Sequence, residues 1–391
     1  MTKKLQHIRV ARVSTVLLFM TTHLRSQLAS ISDAGAEVTV ISSKDGLSEA
    51  MNSFKDCKFK TIHIPREISL IKDTIALIRL TKLFFTERFD IIHSTTPKAG
   101  FLCALAAKFA GIPIRLHTYT GQTWVSLKGP KKAIVKFCDK LINRLNTHCY
   151  ADSASQRDFL IQQKVVRPYK LSVLGSGSVA GVDINRFSQE NFSETAKQQI
   201  RESLNIDKTS FVLLFVGRIN RDKGFFELIE AVGRLTTQTK ITLIIAGCFE
   251  QNIEEEARRH VQKHCPEKVV FTGFYSKPEN LMAISEILCL PSYREGFGTV
   301  VIEAAAMGVP TVATSIYGLT DAIIDEVTGL LVEPKNVTQL ATALDRLIAD
   351  APLRKKLGAS AKSRAIKEFD SRHCDNLLVD EYQKLVSESK S

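Results

Sequence analysis

"FVGRINRDKGFFELIEAV", residues 215–232, fixes the architecture of its half of the chain. An apolar β-rich run ends at Gly217, a polar loop carries Arg218 and Lys223, and Gly224 opens a helix with apolar periodicity. A strand that passes through such a loop straight into a helix is the opening of a βαβ unit, so a parallel sheet is expected. Working outward, apolar runs alternate with amphipathic stretches in both directions. Strands are expected at "HIRVARV", "EVTVIS", "FKTIHI", "DIIHST", "IRLHTY", "THCYADS" and "KLSVLG" in the first half, and at "SFVLLFVGRI", "ITLIIAG", "VVFTGF", "EILCLPS", "PTVATS" and "GLLVEP" in the second. The fold class is α/β, with two doubly wound, Rossmann-like halves.

A chain of 391 residues exceeds one ordinary core and fits two domains, with a cleft expected between them. The glycine- and serine-rich "GSGSVAGVDINRF" (175–187) is the linker candidate. The expected division is 1–177 for the first domain, 178–366 for the second, and a helix over 367–391 that returns to the first.

The second motif is "REGFGTVVIE", residues 294–303. Gly296 and Gly298 permit close approach of backbone to a ligand, and a helix beginning near Thr299 presents unpaired N–H groups. Glu303 falls about one turn into that helix, and Glu295 stays on the loop. Carboxylates accept hydrogen bonds from sugar hydroxyls, and Arg218 with Lys223 beside a helix N-terminus suits a diphosphate. The pair of motifs points to a nucleotide-sugar. The bland alternatives are solvated basic residues on a loop and first-turn acids that complement the helix dipole.

"VGRINRDKG", followed by "LPSYREGFGTVVIEAAAMGVPTVAT", resembles the donor domain of family 4 retaining glycosyltransferases, which have the two-domain GT-B fold with both parallel sheets facing the cleft. The resemblance runs over nearly the whole chain. It implies that Glu295 contacts the donor sugar near its reacting end, that Glu303 holds the ribose, and that Arg218 and Lys223 bind the diphosphate. Gly217, Gly247, Gly273, Gly296, Phe297, Gly298 and Thr299 complete the expected donor site, with UDP as the implied nucleotide. Two cations and a helix N-terminus stabilise a departing diphosphate without a metal, and no D-x-D pair occurs. No cofactor and no metal are expected. The resemblance further implies retention of anomeric configuration.

In the first half, "DIIHSTTPKAG" and "RLHTYTGQTW" end strands in polar and small residues, where parallel sheets bind ligands. They make His93, Thr95, Lys98, Thr120 and Gly121 the acceptor-side candidates, and they resemble bacterial enzymes that extend capsule, O-antigen or other lipid-linked glycans. Many family members have His-Gly where this chain has Thr120-Gly121, so no general base is carried over to that place. His93 and His117 each fit a hydrogen-bonded structural role better than a catalytic one. The glycine-rich loop common after the family's first strand is also absent, as is the G-x-G-x-x-G of a dinucleotide dehydrogenase.

Charge separates the halves. Residues 1–178 hold 27 Lys+Arg against 12 Asp+Glu, leaving 26 against 29 for the remainder. In "KGPKKAIVKFCDKLINRLNTH" (128–148), Ile134, Phe137, Cys138, Leu141 and Leu145 follow helical spacing beside Lys132, Lys136, Lys140 and Arg144. Such a helix suits an anionic membrane surface, or else a core-facing surface helix. No nucleic-acid motif is present. The apolar run near the start is interrupted by His7, Arg9 and Arg12, which favours a buried strand over a signal peptide. The eight cysteines form no C-x-x-C pair and are expected as reduced core thiols. The expected protein is a cytoplasmic enzyme, peripheral at the inner face of the plasma membrane, that uses a nucleotide-sugar donor and a lipid-linked saccharide acceptor. A sugar-nucleotide epimerase or phosphorylase on a related fold, and a non-catalytic nucleotide-sugar binder, are the alternatives.

Overall fold

A computed structural model describes residues 4–43, 57–65, 69–250 and 252–390. The first three residues of the basic opening and the last residue of the polar tail lie outside them. The chain forms two units, one of Met1–Gly181 with Ser371–Ser391 and the other of Val182–Asp370. Both crossings lie four residues beyond the expected boundaries. Chain pairing explains the shift: Val182 N–H donates to the Phe369 carbonyl at 2.7 Å, and Val182 bridges Asp370 as a short parallel pair, so the second unit claims both.

The first unit holds β1 (Arg9–Val13), β2 (Glu37–Ser42), β3 (Cys57–Thr61), β4 (Ile91–Thr95), β5 (Ile114–Tyr119), β6 (His148–Ala151) and β7 (Leu171–Ser172). They form one sheet in the order β3-β2-β1-β4-β5-β6-β7, every pair parallel. The second unit holds β8 (Phe211–Val216), β9 (Ile241–Ala246), β10 (Val269–Gly273), β11 (Ile287–Leu290), β12 (Thr311–Thr314) and β13 (Gly329–Val332) in the order β10-β9-β8-β11-β12-β13, again all parallel. All thirteen expected strands are present. Central strands such as β8 and β11 are continuous apolar runs because helices cover both of their faces. The strand order reverses between β1 and β4 in one sheet and between β8 and β11 in the other, and loops at such points diverge to leave room for a ligand.

The final helix, Ser371–Lys390, belongs to the first unit, where Leu378, Val379 and Tyr382 enter the core beside Leu28 and Ile31. Burying the Tyr382 ring contributes about 2 kcal/mol of transfer free energy. The ring also meets a buried cation. Arg12, 1% exposed, donates from Nη1 to His93 Nδ1 at 2.7 Å and to the Tyr382 hydroxyl at 2.9 Å, and from Nη2 to Gln27 Oε1 at 2.6 Å.

No two cysteines among the described residues are joined in a disulfide, and Cys248 is exposed, outside the core. Among the described residues, no helix is long and apolar enough to cross a membrane.

Candidate functional site

The switch point of the second unit carries both motifs, because the loop after β8 holds Gly217 to Lys223 and the loop after β11 holds Pro291 to Gly298. Asn220 starts a short turn at Arg221–Lys223, its Oδ1 accepting from Lys223 N–H at 2.9 Å. Gly224 follows in the left-handed region at φ 68°, and a Cβ there would stand 2.0 Å from the Pro291 carbonyl oxygen. Only glycine lets the two loops approach this closely. Tyr293 N–H donates to the Asp222 carbonyl at 2.7 Å and Arg294 Nη2 to Asp222 Oδ2 at 3.1 Å, which ties the loops a second and third time.

Lys223 Nζ forms an ion pair with Glu295 Oε1, and Ser292 Oγ donates to the same oxygen at 2.8 Å. A Cβ on Gly217 would lie 3.9 Å from Lys223 Cε, so the lysine stem passes beside that glycine. Arg218 turns elsewhere and pairs with Glu250, which also accepts from Asn220 Nδ2 at 3.0 Å. Arg218 and Lys223, expected side by side, are each paired with a carboxylate, Glu250 and Glu295. Gly217 N–H donates to the Ala246 carbonyl at 2.9 Å and Gly247 N–H to the Gly273 carbonyl at 2.8 Å, which sets the three glycines in a row at the carboxyl ends of β8, β9 and β10.

Gly298, at φ 82°, precedes the helix Thr299–Ala306 and puts Glu303 on its fifth residue, past the first turn. Burial pushes the Glu303 carboxyl up to about 7, Arg186 opposing and Glu279 adding to the shift. Arg186 is itself fixed by Nη2 donation to Glu279 Oε2 at 2.7 Å and to the Ser276 carbonyl at 3.3 Å. Sequence reasoning missed Arg186 and Glu279, which lie far from Glu303 along the chain. Asn220 was findable, as an amide three residues before a turn's last N–H. The Phe297 ring, expected on the donor side, is buried in the core against Phe369 at 5.2 Å, which leaves its backbone as the part that a ligand in this loop would meet.

In the first unit the expected acceptor residues lie on the neighbouring strands β4 and β5 and just beyond their ends. His93 is 2% exposed; its Nδ1 accepts from Arg12 and its Nε2 donates to Thr118 Oγ1 at 2.7 Å. Burial, then Arg12 and His117, hold its pKa well below the usual imidazole range. It lines a cavity of about 20 Å³, room for a water and not for a sugar. Burial likewise pushes His117 down to about 3, with Ser94 Oγ 3.0 Å from its Nδ1. Both are structural. Thr95 is buried at 1%, and Lys98 pairs with Asp73 at 2.7 Å. Thr120 is half-buried and Gly121 buried, just past the end of β5. A contact unforeseen from sequence joins the loops that follow β1 and β4 at the switch point, where the Thr15 hydroxyl donates to Thr96 Oγ1 at 3.2 Å.

Residues 20–177 match the family model described as glycosyl transferase 4-like domain, and residues 196–364 match that described as glycosyl transferases group 1. The capsular polysaccharide biosynthesis glycosyltransferase CapM of Staphylococcus aureus is 29% identical over 369 residues, covering 94% of this chain and 95% of its own. A UDP-Gal:alpha-D-GlcNAc-diphosphoundecaprenol alpha-1,3-galactosyltransferase of Escherichia coli is 27% identical over 313 residues, 78% of this chain and 79% of its own. Among solved structures, HepE of Anabaena in complex with UDP superposes with a TM-score of 0.79 at 20% identity, over 97% of this chain and all of the other. Two parallel Rossmann-like units, with matched models on both halves, make the chain a member of the group 1, family 4-like glycosyltransferases of the GT-B fold.

Proposed function

We propose that the chain transfers a hexose or N-acetylhexosamine from a UDP-sugar to a lipid-linked saccharide in bacterial surface glycan synthesis, with retained anomeric configuration and no catalytic metal. The observation that carries the proposal is the Lys223–Glu295 ion pair at a parallel-sheet switch point, with Glu303 on the adjoining helix. Glu303 takes the ribose hydroxyls, Glu295 the transferred sugar, and Lys223 with Arg218 the diphosphate. Gly298 and Thr299 offer backbone N–H groups to phosphate. As the bond from the anomeric carbon to the diphosphate oxygen breaks, negative charge grows on the diphosphate and Lys223 stabilises it. The acceptor hydroxyl bonds to that carbon on the same face, and its proton passes to the departing phosphate oxygen. No side-chain base is required, in keeping with structural roles for His93 and His117. UDP and a polyprenyl-diphosphate acceptor are favoured because the Escherichia coli relative's name gives both.

The inner face of the plasma membrane is the proposed workplace. On the helix Leu70–Glu87, Ile71, Ile75, Ile78 and Phe85 form one outward stripe, Ile71 77% and Ile78 62% exposed, with Lys72, Arg79 and Lys82 beside it. On the helix Gly129–Leu145, Ile134 and Phe137 are exposed as well. Apolar stripes edged with lysine and arginine fit an anionic lipid surface.

Calorimetric titration with UDP, GDP and ADP in EDTA is the test. Selective UDP binding, lost in Glu303→Ala, is the expected result, followed by turnover of a UDP-sugar only when lipid-linked acceptor is added. Binding of GDP or ADP instead would reassign the donor, and conversion of a UDP-sugar without acceptor would point to an epimerase.

A further inference from the structure

We propose that Glu230, His260 and His264 form a binding site for a divalent transition metal of the zinc class, separate from the donor site. His260 and His264 lie four residues apart on the helix Glu254–His264, so both project from one face. That face packs against the helix Phe225–Gly233, which carries Glu230. One ligand atom from each of the three residues lies within 4.8 Å of the others, and all three residues are half-buried. His260 Nε2 already stands 3.4 Å from Glu230 Oε1. Ligands about 2.0–2.1 Å from a tetrahedral zinc sit roughly 3.3 Å apart, so the cluster closes with a small rotation of His264.

The surroundings fit this use. Arg234 takes the other Glu230 oxygen at 3.5 Å, which leaves Oε1 turned toward His260. The His260 ring is held edge-on against Phe226 at 5.1 Å; its Nε2 donates to the Phe226 carbonyl oxygen at 3.2 Å in the metal-free protein and gives up that hydrogen bond and its proton when it turns to the metal. Two imidazoles and one carboxylate suit zinc, copper, nickel or cobalt, and do not suit magnesium or calcium, which prefer oxygen shells. Three protein ligands leave a fourth position for water.

The consequence is mechanical. The helix Phe225–Gly233 starts immediately after Lys223 and Gly224, and at 1.5 Å per residue Glu230 lies about 10 Å along it from Lys223. A metal here joins two helices behind the diphosphate loop and takes no part in bond breaking.

Untagged, metal-stripped full-length protein is titrated with Co²⁺ and Zn²⁺, with Mg²⁺ as control. Co²⁺ is expected to give the visible absorption of a four-coordinate ion. Zn²⁺ at about a hundredfold excess over its Kd is expected to raise Tm by about 5 °C, and Mg²⁺ to leave it unchanged. His264→Ala and the milder His260→Gln should each weaken Zn²⁺ binding at least tenfold and remove the Co²⁺ spectrum. Unchanged Zn²⁺ affinity in both variants, or no Co²⁺ absorption in the parent, would overturn the proposal. Neither result bears on UDP binding, which is measured in EDTA.

Discussion

Lys223 and Glu295, 72 residues apart in sequence, pair across the loops that leave the neighbouring strands β8 and β11. Their side chains are only 20% and 12% exposed, so the pair works in a poorer dielectric than a surface salt bridge. Ser292 pins the same Glu295 oxygen at 2.8 Å. In the proposed mechanism the lysine stands beside the departing diphosphate, and its pair with Glu295 sets its position before substrate arrives.

Removing that cation should cost turnover more than binding. Lys223→Ala is expected to lower kcat by about 10²–10³-fold, the scale on which a single fixed electrostatic contact contributes. Arg218→Ala should leave stability nearly unchanged, since its pair with Glu250 is exposed on both sides. Steady-state kinetics of Lys223→Ala and urea unfolding of Arg218→Ala, each beside the parent, check the two expectations, and full turnover in Lys223→Ala would remove the assigned role.

The local structure of both second-unit motifs was readable in the sequence: a strand, a glycine and a helix start within ten residues fix where Lys223 and Glu303 stand. Arg186 and Glu279 were not readable, because they approach Glu303 only through the tertiary fold. The outward stripe on Leu70–Glu87 escaped for another reason. Helical spacing identifies an apolar face but not what covers it, and Ile71 and Ile78 look like core residues in the sequence. The helix Gly129–Leu145 shows the converse, since its buried positions Asp139, Ile142 and Asn143 include two polar residues, while Ile134 and Phe137 face outward. Asp139 is tolerated inside because the Trp124 indole donates to it.

Glu303 predicts a pH dependence of donor binding. Burial raises its carboxyl to about 7, so it is largely protonated at pH 6 and largely ionised at pH 8. The ionised form accepts hydroxyl hydrogen bonds better. UDP is expected to bind about tenfold more weakly at pH 6 than at pH 8, with the slope lost in Glu303→Gln. Arg186→Ala removes the nearby cation that favours the charged form and should move the midpoint upward. Calorimetry across this range would contradict the assignment if the parent and Glu303→Gln had the same slope.

Asp139 predicts a pH dependence of stability. Burial raises its carboxyl to about 7 against an ordinary 3.8, and the Trp124 hydrogen bond at 2.7 Å opposes the rise. The folded state therefore holds a proton that the unfolded state releases. This contribution is complete below about pH 4 and is lost as pH rises through 7. Asp139→Asn keeps an acceptor for the indole without a charge to bury, and should be more stable than the parent at pH 8 by on the order of 3 kcal/mol, with little difference at pH 4. Urea unfolding at the two pH values measures it, and a pH-independent difference would refute the explanation.

The stripe on Leu70–Glu87 predicts which substitutions release the protein from lipid. Ile71, Ile75 and Ile78 lie outward while Ala76, Leu80 and Phe84 hold the helix to the core, so the outer face can change without unfolding. Burying one such isoleucine in a bilayer contributes about 1.5–3 kcal/mol, and each nearby basic residue about 1 kcal/mol on an anionic surface. Ile71→Ser with Ile78→Ser is therefore expected to lower affinity for vesicles containing phosphatidylglycerol by at least tenfold. Lys72→Gln with Lys82→Gln should weaken binding to the same vesicles and leave neutral phosphatidylcholine vesicles unaffected. UDP affinity should not move in either variant, because the stripe lies in the first unit and the donor residues in the second. Vesicle cosedimentation beside UDP calorimetry separates the two effects, and unchanged vesicle binding in both double variants would exclude this helix as the contact.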